Sequence, residues 1–244
     1  MTSPRIISRN TELITGIFAL SSGIMLIFTI LTRFEYITLF SSLNEDLEYL
    51  LDNISILRLN AIIWVVTALV VTISASTFIA IMNPFHRLFS WLTGFFLILS
   101  AAMICVAGIK AMSVIDILQH FDQLELINNE IIRISIYTLS REKEIYIIAA
   151  YTLLGLGFLS LGMFTFRTRR LSMFTAFVST ITGIIVPVFT SIVPESILAD
   201  LGLVAGSITF MVIGVRLLFS GVNQEGGLVS SWQEAGSGRQ EAGG

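Results

Sequence analysis

The sequence predicts an all-α fold, a polytopic transmembrane bundle of about six helices, and three observations predict it. Hydrophobic residues make up 55% of the chain and charged residues only 13%, against about 25% charged in an ordinary soluble domain. Mean hydropathy is +0.86. The apolar residues gather in six runs of about 19 to 25 residues, enough at 1.5 Å rise per residue to cross a hydrocarbon layer about 30 Å thick. A backbone in lipid must satisfy its own hydrogen bonds, so runs of this length are read as helices and not as open strands.

The runs cover residues 13–31, 61–82, 88–112, 145–166, 171–193 and 197–219. Arg5 and Arg9 precede the first, as they would a secretory signal. That run is longer than the roughly 7 to 15 residues of a cleavable apolar region and no small-residue cleavage site follows it, so a retained signal anchor is expected. The second and third runs meet at Asn83-Pro84-Phe85-His86-Arg87, where proline presets the turn and removes an amide hydrogen. The fourth and fifth meet at Arg167-Thr168-Arg169-Arg170, the fifth and sixth at Pro194-Glu195-Ser196. Links this short force antiparallel neighbours.

Two links are long and patterned. Tyr36, Phe40, Leu43, Leu47, Leu50, Ile54 and Leu57 recur at helical steps, and Ser42 with Glu45 has capping-box spacing. The pattern returns in Ile117, Phe121, Leu124, Ile127, Ile131 and Ile134, with Asp116, Asp122, Glu125 and Glu130 mostly off that face. Both links are expected to be amphipathic helices on the bundle or the membrane surface, either capping the bundle or offering a lid or docking surface. Residues 1–222 thus form one six-helix transmembrane domain. Residues 223–244, rich in Gly, Ser, Gln and Glu, are expected to be a flexible tail.

Retention by positive charge acts through short loops. The hairpins at Arg87 and at Arg167, Arg169 and Arg170 carry four arginines, and the hairpin at Pro194 carries none. Both termini are therefore expected in the cytoplasm of a multi-pass cell-membrane protein, with those three clustered arginines facing anionic lipid headgroups.

A net charge of −3 and the lack of a long basic run argue against a nucleic-acid partner. Cys105 is the only cysteine, which excludes an intrachain disulfide. His86 and His120 lie at no metal-ligand spacing, and no nucleophile-base arrangement, phosphate loop or cofactor motif is present, so neither a metal nor a cofactor is expected.

What remains are packing features and a few polar faces. Gly202 and Gly206 form a GxxxG step, and Ala19 with Gly23 a weaker small-residue step; both permit close helix approach and hint at a dimer face. Pro187 should kink the fifth span and free the Gly183 carbonyl, which Thr182, Thr190 or Ser191 could re-satisfy. Thr67, Thr72 and Ser76 in the second span are candidates for a polar path, although hydroxyls in membrane helices commonly bond to backbone. Lys110, Asp200 and Arg216 lie near span ends, within reach of the interface.

The stretch Asn53-Ile54-Ser55-Ile56-Leu57-Arg58, the Met82-Asn83-Pro84-Phe85-His86-Arg87 link between two spans, and the arginine-rich link before Leu171 resemble a family of bacterial six-span membrane proteins, domain of unknown function 4386. The resemblance covers the chain to about Gly221. It implies the same fold and brings neither an activity nor catalytic residues. His86 and the acidic third link depart from that family's pattern.

The expected role is non-catalytic: an accessory or structural subunit in contact with membrane lipids and with other membrane chains or copies of itself. The alternative is a small transporter or channel using Thr67, Thr72 and Ser76. A third reading, a lipid-handling enzyme, requires Asp116 and His120 to converge in a cleft.

Overall fold

The computed structural model describes residues 9–37, 52–120, 129–169, 171–192 and 197–219. Among them lie six helices and no strand: α1 (Arg9–Ile37), α2 (Ile54–Met82), α3 (Arg87–Gln119), α4 (Asn129–Thr168), α5 (Met173–Ile192) and α6 (Ile197–Phe219). All six are long and apolar enough to cross a membrane. Residues 38–51, which hold most of the first amphipathic link, and the tail at 223–244 lie outside the described residues.

Each helix packs against its neighbours in sequence, and α1 closes on α6. The result is an up-and-down ring in which the start of α1 and the end of α6 share one end with Arg9, Arg87, Arg167, Arg169 and Arg216. Large apolar side chains cover the outside: Leu69, Phe95, Phe177 and Phe219 are each more than half exposed. A surface of that kind is stable only where lipid is the solvent.

The hairpin ends follow local chemistry. Pro84 ends α2 at the position where its missing amide would be needed, and the turn closes with Phe85 and His86 amides donating to the Met82 carbonyl at 3.0 and 3.1 Å. Ser90 then reaches back across the turn to the Ile79 carbonyl at 3.0 Å. At the end of α4, Arg169 adopts a left-handed φ of 51°, and its amide donates to Thr165 O at 2.8 Å. This is the helix-ending conformation usually given to glycine. Ser172 caps α5 by accepting the Thr175 amide at 3.1 Å.

Four helices outrun their apolar segments, α1 by continuing to Ile37. The pattern over residues 114–138 is helical, but its described part is built as continuations of the spans: α3 runs on to Gln119 and α4 begins at Asn129. This adds roughly 10 Å to α3 and roughly 24 Å to α4 at 1.5 Å per residue. Helix α2 likewise starts at Ile54, ahead of its apolar run. The extensions of α2, α3 and α4 share a cluster of Leu57, Ala61, Val114, Ile115, Leu118 and Ile136. Of the two apolar stripes, Leu57, Ile54 and Ile117 pack into this cluster, whereas Ile131 and Ile134 are more than half exposed.

Candidate functional site

The ring has no hollow centre among the described residues. Trp64 of α2 stacks on Tyr151 of α4 with centroids 6.4 Å apart. Nearer the arginine end, Phe210 of α6 meets Phe78 of α2 at 6.4 Å and, edge-on, Phe158 of α4 at 4.8 Å. Aromatic side chains of alternate helices thus fill the axis, and all five are buried.

Most buried hydroxyls are committed to protein acceptors. Thr15, Thr67, Thr165, Thr190 and Ser207 donate to carbonyls one turn back in their own helices. Others tie helices together: Ser22 with Ser74 at 2.7 Å, Ser100 to Ala150 O at 2.7 Å, and Thr182 with Thr209 at 2.8 Å. Asn60 donates to Thr32 at 2.7 Å and accepts from the Trp64 indole at 2.9 Å, so the largest buried ring keeps its polar edge satisfied. Thr93 Oγ1 and Ser179 Oγ are buried with no hydrogen-bond partner among the described residues.

The three polar-path candidates are not brought together. Thr67 is buried and donates to Ile63 O at 2.7 Å. Thr72 is half-buried on Ala68 O, and Ser76 is exposed on Thr72 O. They wind from the interior of α2 to its outer face.

The small-residue steps face inward. A Cβ on Gly202 would meet Val186 of α5 at 3.5 Å, and one on Gly206 would meet Phe158 of α4 at 3.4 Å, so the GxxxG step of α6 packs within the ring and not against a second copy. Ala19 is fully buried. Gly23 lies against α6, where a Cβ would come within 2.6 Å of Ser207 O. Gly16 and Gly214 continue this seam, each lacking room for a side chain because of the other's carbonyl oxygen.

Pro187 sits within α5 with its ring against Gly155 of α4, where a Cβ would collide with it. Thr182 and Thr190 do not re-satisfy the freed Gly183 carbonyl. The first pairs with Thr209, and the second donates to Val186 O and Pro187 O at 2.8 and 3.3 Å. The Gly183 carbonyl instead lies 3.3 Å from where a Gly155 Cβ would stand, at the close approach of α4 and α5. The Ser191 side chain lies outside the described residues.

Charges occupy the two ends. Lys110 of α3 pairs with Glu142 of α4 instead of extending alone to the interface. Arg141 pairs with Glu144 at 3.1 Å and lies over the Tyr137 ring at 5.5 Å. Lys143 is buried at this level. At the opposite end Arg167 and Arg169 are exposed, and Arg167 complements the carbonyl end of α4. Arg170 and the Asp200 side chain lie outside the described residues. His120 Nδ1 comes to 3.7 Å from Asp116 Oδ1, but both side chains are more than half exposed at the end of α3 and form no cleft.

Sequence reasoning missed the Gly155–Pro187 contact, the Gly16–Gly214 approach and the Thr32–Asn60–Trp64 chain. The residues were visible, but their partners lie on other helices. No family model, curated protein or solved structure matches the chain, and the helices alone identify it as an integral membrane protein with six membrane-spanning-capable helices.

Proposed function

We propose that this chain is a non-catalytic membrane protein that acts by associating with other membrane chains or with copies of itself, as an accessory or structural subunit. One observation carries the reading. Beyond the charged turn at residues 141–144, the extension of α4 exposes Ile131 (60%), Ile134 (59%) and Tyr137 (48%). The turn marks where α4 leaves the hydrocarbon, so these side chains form an apolar ledge where lipid does not cover them. A ledge braced by α2 and α3 from behind is suited to a protein partner.

The rival transporter reading has less support, because aromatic rings fill the axis and Thr67, Thr72 and Ser76 face different surroundings. In our reading the arginine end, with both chain termini, is cytoplasmic by the short-loop charge rule. Kinship with domain of unknown function 4386 remains a proposal on the Asn83-Pro84 link and the order of spans.

Extraction in a mild detergent followed by native mass measurement tests the association. A mass above that of one chain is expected, and the double substitution Ile131→Ser with Ile134→Ser should shift it to the monomer. A wild-type chain that runs alone as a monomer overturns the proposal.

A further inference from the structure

At the arginine end, a groove of about 430 Å³ opens on the outside of the ring between the start of α5 and the end of α6. The two helices meet at Gly202–Val186 and at the Thr182–Thr209 bond, and the groove takes up the space beyond that bond. Ile208, Met211, Val212 and Val215 line its α6 side and Phe174 its α5 side. From Ile208 to Arg216 it follows α6 for about 12 Å at 1.5 Å per residue, the depth of an upper acyl-chain segment.

The polar groups lie at its mouth. Arg216 lines the groove in the last turn of α6, is exposed, and forms no ion pair among the described residues. Across from it stands the start of α5, capped by Ser172, with no acidic residue in its first turn. The first amides of any helix lack an intrahelical acceptor, and the helix dipole adds positive potential there. A fixed cation facing a positive helix end, above an apolar trough open to lipid, complements an anion that carries a hydrocarbon chain.

We propose that this groove is a binding site for an anionic phospholipid, one acyl chain lying along Ile208, Val212 and Val215 and the headgroup phosphate held by Arg216 at the start of α5. The site is independent of the α4 ledge and of whatever associates there.

Native mass spectrometry of the full chain in mild detergent, titrated with dioleoyl phosphatidylglycerol or dioleoyl phosphatidylcholine, tests it. Wild-type protein should retain the anionic lipid about fivefold better, the worth of one arginine near a headgroup. Arg216→Gln should bring the two lipids level. Arg87→Gln, an exposed arginine outside the groove, should leave the preference intact. Val212→Trp, which fills the trough, should lower retention of both lipids. Equal retention by wild type, an unchanged preference in R216Q, an equal loss in R87Q, or undiminished retention in V212W would each overturn the site. If V212W fails to fold, the exposed Arg216 variant still decides.

Discussion

The seams between helices and the axis of the ring are packed by opposite means. Along the axis the chain uses its largest side chains, Trp64, Tyr151, Phe78, Phe158 and Phe210. Along the α1–α6 and α4–α5 seams it uses almost none: Gly16, Gly23 and Gly214 on one, Gly155, Gly162 and Gly183 on the other. The difference follows from the solvent. Lipid is as apolar as leucine, so burying a side chain gains little hydrophobic free energy, and helices associate through van der Waals contact and interhelical hydrogen bonds. A seam gains most by bringing backbones together, which glycine permits. An axis enclosed by six helices must be filled, because a void forfeits its contacts outright. Bulk on the axis and absence of bulk at the seams are two answers to one requirement for contact.

Substitutions that reverse the two strategies should break them unequally. Emptying the axis should cost most. Phe210 is fully buried between Phe78 and Phe158, and Phe210→Ala should destabilise by about 3–5 kcal/mol through the cavity it leaves, read from reversible unfolding in mixed micelles. Filling a seam comes next. Gly155→Ala drives a methyl into the Pro187 ring and should cost about 1–3 kcal/mol by overpacking. Pro187→Ala in the same chain should recover much of that loss, a coupling measured by the double-mutant cycle; additive losses would show that the ring contact is not the cause. The smallest effect sharpens the comparison between the two small-residue steps, one on α1 and one on α6. Gly202 has room for a methyl at 3.5 Å from its neighbour, whereas Gly23 faces Ser207 O at 2.6 Å. Gly202→Ala should stay within about 0.5 kcal/mol of wild type, and Gly23→Ala should be clearly destabilising. Similar responses at both sites would mean that glycine serves helix propensity here and not close approach.

The helices were legible in the sequence to different degrees at their two kinds of end. The stop at Met82 was legible because Asn83-Pro84 forbids continuation, and α6 matches its apolar run at both ends. Where no breaker intervenes, an apolar run marks the part of a helix that lies in lipid and not the whole helix. Helix α4 therefore starts at Asn129, well ahead of Ile145, since its backbone bonds continue into water without change. The ledge at Ile131 and Ile134 belongs to a stripe that was visible in the sequence. That it continues a span, instead of lying apart as a surface helix, was not.

Sites were less legible than spans. In a soluble helix the polar face points to water, so a Ser or Thr declares its direction. In a membrane helix both faces are apolar, and Thr67 and Ser76 look alike in sequence although one is buried and the other exposed. The GxxxG step at Gly202 and Gly206 was equally mute about its partner, which proved to be α4 and α5 of the same chain. Short links fixed the neighbours α2–α3, α4–α5 and α5–α6, but nothing local indicated that α1 would close on α6.

By itself the sequence determined the solvent, the number of apolar spans and which short links carry the arginines, because hydropathy and charge act residue by residue along the chain. Only the tertiary structure decided the closed ring, the filled axis, and the groove where Arg216 meets the start of α5. Those depend on which helix surfaces approach one another, and approach is a property of pairs of distant residues that no single stretch of chain encodes.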